Sequence, residues 1–360
     1  QPSTTISHCS FHKVKSSYDY NRWQLDLYSD WFQNMLKNIL HPNRYHGFHA
    51  SAPYFEGWYY KLVSADHSIK FAVIPGVYIA PQHEKSHCFV QIFDSQAKQV
   101  RYFRYPFEHF LASQDSFEIN VGPNSFYADK IHLNIKEEGG ELNGSLMFEE
   151  LNPWPVKFFS PGAMGWFAWV PFMQTYHGVV SFDHAIDGQI IIDGKDHDFS
   201  GGRGYIEKDW GKMFPSAYIW GQSNHFEQQC TSIMLSVAVV PYFGYSFGGF
   251  VIGLLHAGRL HIFATHNRSK IDEITIDDEM VNILVHNPSH RLRIRAFRKK
   301  GGLLQAPTSV EMDRRIIETL NARIEIKLED KLGQVIYKGT GSHAGLETVG
   351  DLQELLNLIK

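Results

Sequence analysis

The sequence predicts an all-β protein of two β domains with a helix at each end, and three observations carry that expectation. Short runs rich in β-branched and aromatic residues recur along the chain, turn-forming stretches separate them, and helical periodicity is confined to the two ends. The runs fall at 71–80, 88–93, 100–105, 130–135, 145–148, 178–182, 189–192, 217–222, 259–265, 291–297, 323–328 and 335–337. Between them, 94–98, 138–141, 193–195 and 330–333 carry the Asp and Gly residues that favour tight turns. This is roughly twice the strand complement of one small barrel. The expected organisation is a helical segment at 1–44, a first β domain at 45–213, a second at 214–345 and a C-terminal helix at 346–360.

The terminal helices rest on spacing. Trp23, Leu27, Trp31, Met35 and Ile39 recur every fourth position, and Pro42 ends that run. At the other end Leu346, Val349, Leu352, Leu355, Leu356 and Ile359 share a face. Neither stripe has a Lys/Arg-rich opposite face, so both are expected to dock on the body. Residues 233–255 lack charge over a length that could cross a bilayer. Pro241, Gly244, Gly248 and Gly249 interrupt them, however, and predict two strands joined by a turn.

Composition narrows the function. Aromatic residues make up 14% of the chain, and rings in that number must fill cores or line a cavity. The formal net charge is −4 and the one dense basic run, 291–300, alternates like an edge strand, which argues against a nucleic-acid partner. Three widely separated cysteines form neither a disulfide framework nor a CxxC pair, which favours a reducing compartment. A cytoplasmic or membrane-peripheral location follows; membrane contact and oligomeric state stay open.

His83/His87, His286/His290 and His41/His46/His49 have ligand-like spacing, but none comes with a third ligand from another element, so no metal is expected. No GxGxxG opens a βαβ unit, no GxxxxGK[ST] occurs and no GxSxG elbow is read. Two segments remain. In YFEGWYYK, residues 54–61, alternation puts Glu56, Trp58 and Tyr60 on one face, and an inward carboxylate there needs a partner such as Lys61 or an arginine. In RGYIEKDWGKMFPSAYIWGQ, residues 203–222, Tyr205, Glu207 and Asp209 share one face while Ile206, Lys208 and Trp210 take the other. Two carboxylates on one side of a strand repel, which raises one pKa and yields an acid able to donate near neutral pH. Trp210, Tyr218, Trp220, Gln222 and Asn224 follow as an apolar wall with polar points. The aromatic stretch 164–177, with Trp166, Trp169 and Tyr176, could close a pocket.

These two segments resemble the signature regions of the tocopherol cyclase family. Gly47-Phe48-His49 precedes Tyr54-Phe55-Glu56-Gly57-Trp58-Tyr59, as G-Y-H precedes F-F-E-G-W-Y in the family. Ile206–Gly211, Phe214-Pro215 and Trp220, Gln222, Asn224, Phe226 match A-E-K-N-W-G, F-P and W-x-Q-x-N-x-F. The similarity runs over roughly 45–230 and touches 164–169; Asp209 stands where the plant and cyanobacterial enzymes have Asn, and Phe48 where they have Tyr. The resemblance implies two lipocalin-like β-barrel or sandwich domains around a hydrophobic cavity. It also implies protonation of a prenyl double bond followed by capture of the cation by a phenol oxygen, with neither metal nor redox cofactor. Glu207 or Asp209 is then the expected proton donor, with Glu56 or His49 receiving the phenolic proton. Trp58, Tyr60, Trp166, Trp169, Tyr176, Tyr205, Trp210, Trp220, Gln222 and Asn224 are the expected substrate contacts, to a small prenylated or polyene molecule. A hydratase or a pericyclase on the same scaffold, or a carrier without turnover, are the alternatives.

Overall fold

The computed structural model describes residues 33 and 35–359. Residues 35–40 are helical and stop before Pro42; the rest of the helix expected over 23–40 lies outside the described residues. Two antiparallel sheets dominate, one of twelve strands drawn from Tyr54–Gly211 and one of eleven drawn from Tyr218–Val349 among the described residues. Each sheet curls on itself. Phe103 and Tyr105 near one edge of the first sheet share a core with Ile119 and Val121 near its other edge, around Trp58 and Tyr60 at the centre. In the second, Phe263 on one edge strand and Ile271 and Ile274 on the other pack on the same core, and Leu355 of the C-terminal helix caps it. The curl brings the two edges of each sheet onto one core, although the edge strands are not hydrogen-bonded to each other.

A further apolar cluster lies between the barrels, where Tyr59, Val179, Phe182 and Tyr205 of the first meet Tyr218, Trp220, Met234 and Ile316 of the second. Strand alternation makes this economical. One parity of a strand fills its own barrel and the other parity meets the neighbouring barrel. Such strands are buried on both faces, which is why Tyr54–Val63 carries only one residue that is not buried.

Three expectations need correction. The runs at 178–182 and 189–192 belong to one strand, Thr175–Ile192, and 323–328 is the centre of Arg314–Asp330. Bulges between Val179 and Ser181 and between Ser181 and His184 shift the register and break the alternation that a reader would follow. The C-terminal helix is Leu352–Ile359, shorter than 346–360, because Leu346 and Val349 belong to the strand Val335–Val349. Gly350, at φ 80°, turns the chain between the two, and the Asp351 carboxylate caps the helix by accepting from the Gln353 and Glu354 amides at 3.0 and 3.1 Å. The charge-free stretch 233–255 does form a hairpin, Ser232–Tyr242 and Tyr245–His256. Its two-residue turn, Phe243-Gly244, has positive φ at both positions, matching the twist of the flanking strands.

Candidate active site

The strand Gly202–Gly211 lies between Tyr54–Val63 and Thr175–Ile192 in the first barrel. Its register sets Tyr59 and Val179 beside Glu207, and Gly57 and His177 beside Asp209. Directly opposed residues share a face, so Tyr59, His177, Glu207 and Asp209 all point toward the second barrel. There they border a cavity of about 210 Å³, walled mainly by apolar and aromatic residues that include Phe55, Phe89, Phe167, Trp220 and Met312. Glu207, Asp209, Glu347, His177 and His266 are its carboxyl and imidazole lining.

Glu207 is the most enclosed of these, at 4% exposure. Its Oε2 accepts from the Tyr205 hydroxyl at 2.6 Å and, across the barrel interface, from Trp220 Nε1 at 3.0 Å. His177 stands between the two carboxylates, Nδ1 2.9 Å from Asp209 Oδ1 and Nε2 3.7 Å from Glu207 Oε2. Burial pushes the Glu207 carboxyl up to about 7, with Asp209 adding to the rise and His177 opposing it. Burial alone would lower His177, yet Asp209 and Glu207 outweigh it and hold the imidazole at about 9. Glu347 comes from the second barrel, paired in register with Trp220, and accepts from the Tyr218 hydroxyl at 2.6 Å. Burial raises it to about 8, helped by Glu207 and Asp209. Beneath them Glu318, fully enclosed, accepts from the Tyr59 hydroxyl and is also raised by burial and by Glu347. The result is a dry seam of acids that hold protons at pH values where surface carboxylates have lost them.

Glu56 is elsewhere. It lies opposite Trp210 on the other face of the sheet, so it points into the first barrel and away from the cavity. Its partner is Lys208, at 2.5 Å, and it also accepts from the Tyr54 hydroxyl and from the His46 amide at 3.0 Å. Lys61, a partner expected from sequence, instead donates to Gln222 Oε1 at 2.7 Å. Burial drives the Glu56 carboxyl up and the Lys208 ammonium down, and each partly restores the other. Lys208 further donates to the carbonyls of Pro42 and Arg44 and sits 5.1 and 4.5 Å from the Trp58 and Trp210 ring centroids. This arrangement ties the entering chain to the barrel. His49 is exposed in the turn Gly47–His49 and does not line the cavity.

The expected contacts divide similarly. Trp220 and Tyr176 border the cavity, and Tyr205 supports Glu207 from below. Trp58 also borders it, though its ring belongs to the first-barrel core, stacked on Phe117 at 5.5 Å. Tyr60 is in that core too, donating to Tyr127 O, and Trp210 stacks on Tyr176 at 5.6 Å. Gln222 and Asn224 serve the seam away from the cavity; Asn224 donates to Asp183 Oδ1 and Gly204 O. Trp166 is half exposed and Trp169 donates to Phe158 O, so neither borders the cavity.

Sequence reasoning missed His177, Glu347 and Tyr59, and read Tyr218 only as part of the apolar wall. His177 ended the aromatic stretch but carried no motif, and Glu347 lay in a segment read as helix. Only strand register brings them to Glu207.

Three apparent motifs dissolve. The HExxH pattern at 83–87 is a 3-10 turn running into a strand, with His87 engaged at both ring nitrogens by Lys85 O and the Tyr102 hydroxyl. His286 of HNPSH pairs with Asp272 at 2.9 Å. Residues 244–248 do spell GYSFG, but Ser246 is opposite Pro241 within a hairpin, so no strand-to-helix elbow exists there. His177, Glu207 and Asp209 offer one ligand atom each within 4.8 Å of one another. The two acids address opposite nitrogens of the ring, however, which suits proton relay better than chelation by one ion.

Comparison with known proteins bears on this site. The family model described as tocopherol cyclase-like matches residues 149–350, a span holding His177, Glu207, Asp209, Trp220 and Glu347. Two crystal structures of CghA share the fold. One is 10% identical over 83% of this chain and 89% of CghA, with a TM-score of 0.52. The other, with Sch210972, is 9% identical over the same shares, with a TM-score of 0.51. Kievitone hydratase from Nectria haematococca is 10% identical over 86% of this chain and 93% of its own, with a TM-score of 0.49. The curated proteins give no match.

Proposed function

Because the chain belongs to the tocopherol cyclase-like family, we propose that it is a cofactor-independent cyclase or isomerase of a hydrophobic prenylated phenol or polyene. The observation that carries this reading is Glu207: a carboxyl raised to about 7 in an aromatic cavity, with the His177–Asp209 pair beside it. An isolated alkene is a weak base, so its protonation requires a neutral acid from which water is excluded. Glu207 meets that requirement, and the Tyr205 and Trp220 donors stabilise the carboxylate left behind.

In this mechanism Glu207 delivers its proton to the CH carbon of the ring-proximal prenyl double bond, leaving the positive charge on the methyl-bearing carbon. The tertiary cation forms against the rings of Trp220 and Tyr59, and the phenol oxygen attacks it to close the new ring. The phenolic proton passes to Asp209, which takes the acceptor role expected of Glu56 or His49. Transfer across His177 returns a proton to Glu207, so the cycle neither consumes nor releases one. The apolar walls keep the chain folded over the ring, which supplies proximity.

The experiment is incubation of the purified protein with prenylated hydroquinones of graded chain length, followed by mass spectrometry. A product isomeric with its substrate is expected, lost by about 10²–10⁴-fold in Glu207→Gln. Unaltered ligand recovered from both proteins would overturn the enzyme reading in favour of a carrier, and addition of water would replace cyclase by hydratase.

A further inference from the structure

Residues 151–182 and 228–258 contain a single Asp, Glu, Lys or Arg side chain, Lys157, in a chain of which those four types make up 20%. These two segments also build one side of the cavity, through Met164 and Phe167 from the first and Val240 and Phe247 from the second. They form one wall: Phe158 packs on Trp169 at 5.0 Å, and Phe167 faces Phe247 at 6.3 Å. Outward, the same wall leaves large rings in water. Phe159, Phe172, Phe243 and Tyr245 are between 74 and 84% exposed among the described residues.

Backbone geometry makes this harder to dismiss as ordinary surface. Phe172 and Phe243 have φ of 63° and 47°, a left-handed region where glycine and asparagine are the usual occupants and a bulky ring is an outlier. Asparagine at either position would relieve the backbone and remove an exposed ring together. The fold therefore gives no reason for phenylalanine at either tip.

We infer that this aromatic rim docks on a phospholipid bilayer, setting its rings at headgroup depth and opening the cavity to the hydrocarbon. Phe, Tyr and Trp are the side chains that favour the bilayer interface. Neither segment carries a carboxylate to repel phosphate headgroups, and Lys157 is available to meet them. A second protein copy suits the surface less well, because it would seal the rim through which a ligand must pass. The inference rests on the reading that the cavity takes a water-insoluble molecule, but vesicle binding is measured independently of turnover.

The test is flotation with phosphatidylcholine vesicles. The wild-type protein should float with them, and its binding should change little between about 0.1 and 0.5 M NaCl, because ring insertion is not screened as charge contacts are. The double variant Phe172→Asn, Phe243→Asn should bind at least about tenfold less, since each ring contributes buried apolar area. Its Tm should be unchanged or higher and its turnover of detergent-dispersed substrate unaltered. Failure of the wild type to float, or equal flotation of the variant, overturns the inference. A wild-type dimer that the variant converts to monomer assigns the rim to a second copy instead. Vesicle binding without turnover of any substrate would leave the docking and remove the proposed chemistry; turnover without vesicle binding would do the reverse.

Discussion

At the scale of single residues, the site is governed by the cost of charge in a dry seam. Glu207 and Glu347 are both raised mainly by burial, and repulsion from neighbouring carboxylates adds a smaller rise, from Asp209 on Glu207 and from Glu207 and Asp209 on Glu347. Sequence alternation had pointed to repulsion between Glu207 and Asp209 as the cause, because alternation reveals neighbours on a strand and not the second barrel that encloses them. The shift has a thermodynamic consequence. Glu347 keeps its proton in the folded state up to about 8, whereas its ordinary value is 4.5, so its contribution to stability is complete below about 4.5 and lost as pH rises through 8. Buried histidines such as His184, lowered to about 3 by burial, act in the opposite sense between 3 and 6.5, so the parent's own pH profile mixes the two. Comparison with Glu347→Gln isolates the carboxyl. By urea unfolding, the variant should gain at least about 1 kcal/mol relative to the parent between pH 4.5 and 8. A relative loss over that interval would contradict the assignment.

At the scale of elements, period-two alternation was legible and cross-strand register was not. The grouping of Tyr205, Glu207 and Asp209 against Ile206, Lys208 and Trp210 follows from one strand alone. Which face meets the cavity depends on neighbours far away in sequence, and so Glu56 could be grouped with Trp58 and Tyr60 yet not separated from Glu207. Similarly, Leu346 and Val349 satisfy helical spacing and strand packing alike, and Gly350-Asp351 decides between them. The ion pair between Glu56 and Lys208 joins adjacent strands inside the first barrel and anchors the carbonyls of Pro42 and Arg44. Lys208→Met should therefore cost about 3–5 kcal/mol in urea unfolding, because it leaves Glu56 buried without its cation. Turnover per folded molecule should survive, since the pair faces away from the cavity. An unchanged unfolding midpoint would show that the pair holds nothing together.

At the scale of the whole molecule, function follows from setting two barrels side by side with apolar outer faces. Each barrel has its own core, and the interface between them supplies what neither has alone: Trp220 from one side donates to Glu207 from the other, and Glu347 faces Asp209 across the same space. Composition required many rings to fill cores or line a cavity, but the contribution of the second barrel depended on strand pairings more than a hundred residues apart. Among the described residues no helix is long and apolar enough to cross a membrane.

Protonation of carbon by Glu207 is the step on which the proposed chemistry turns. Turnover in deuterium oxide reads that step directly, because a deuteron delivered to an alkene carbon stays there after back-exchange of hydroxyl positions in ordinary water. A cyclised product carrying one non-exchangeable deuterium, formed by the parent and not by Glu207→Gln, is the predicted result. A cyclised product without deuterium, formed equally by both proteins, would contradict acid catalysis and point to a substrate that is only folded by the cavity.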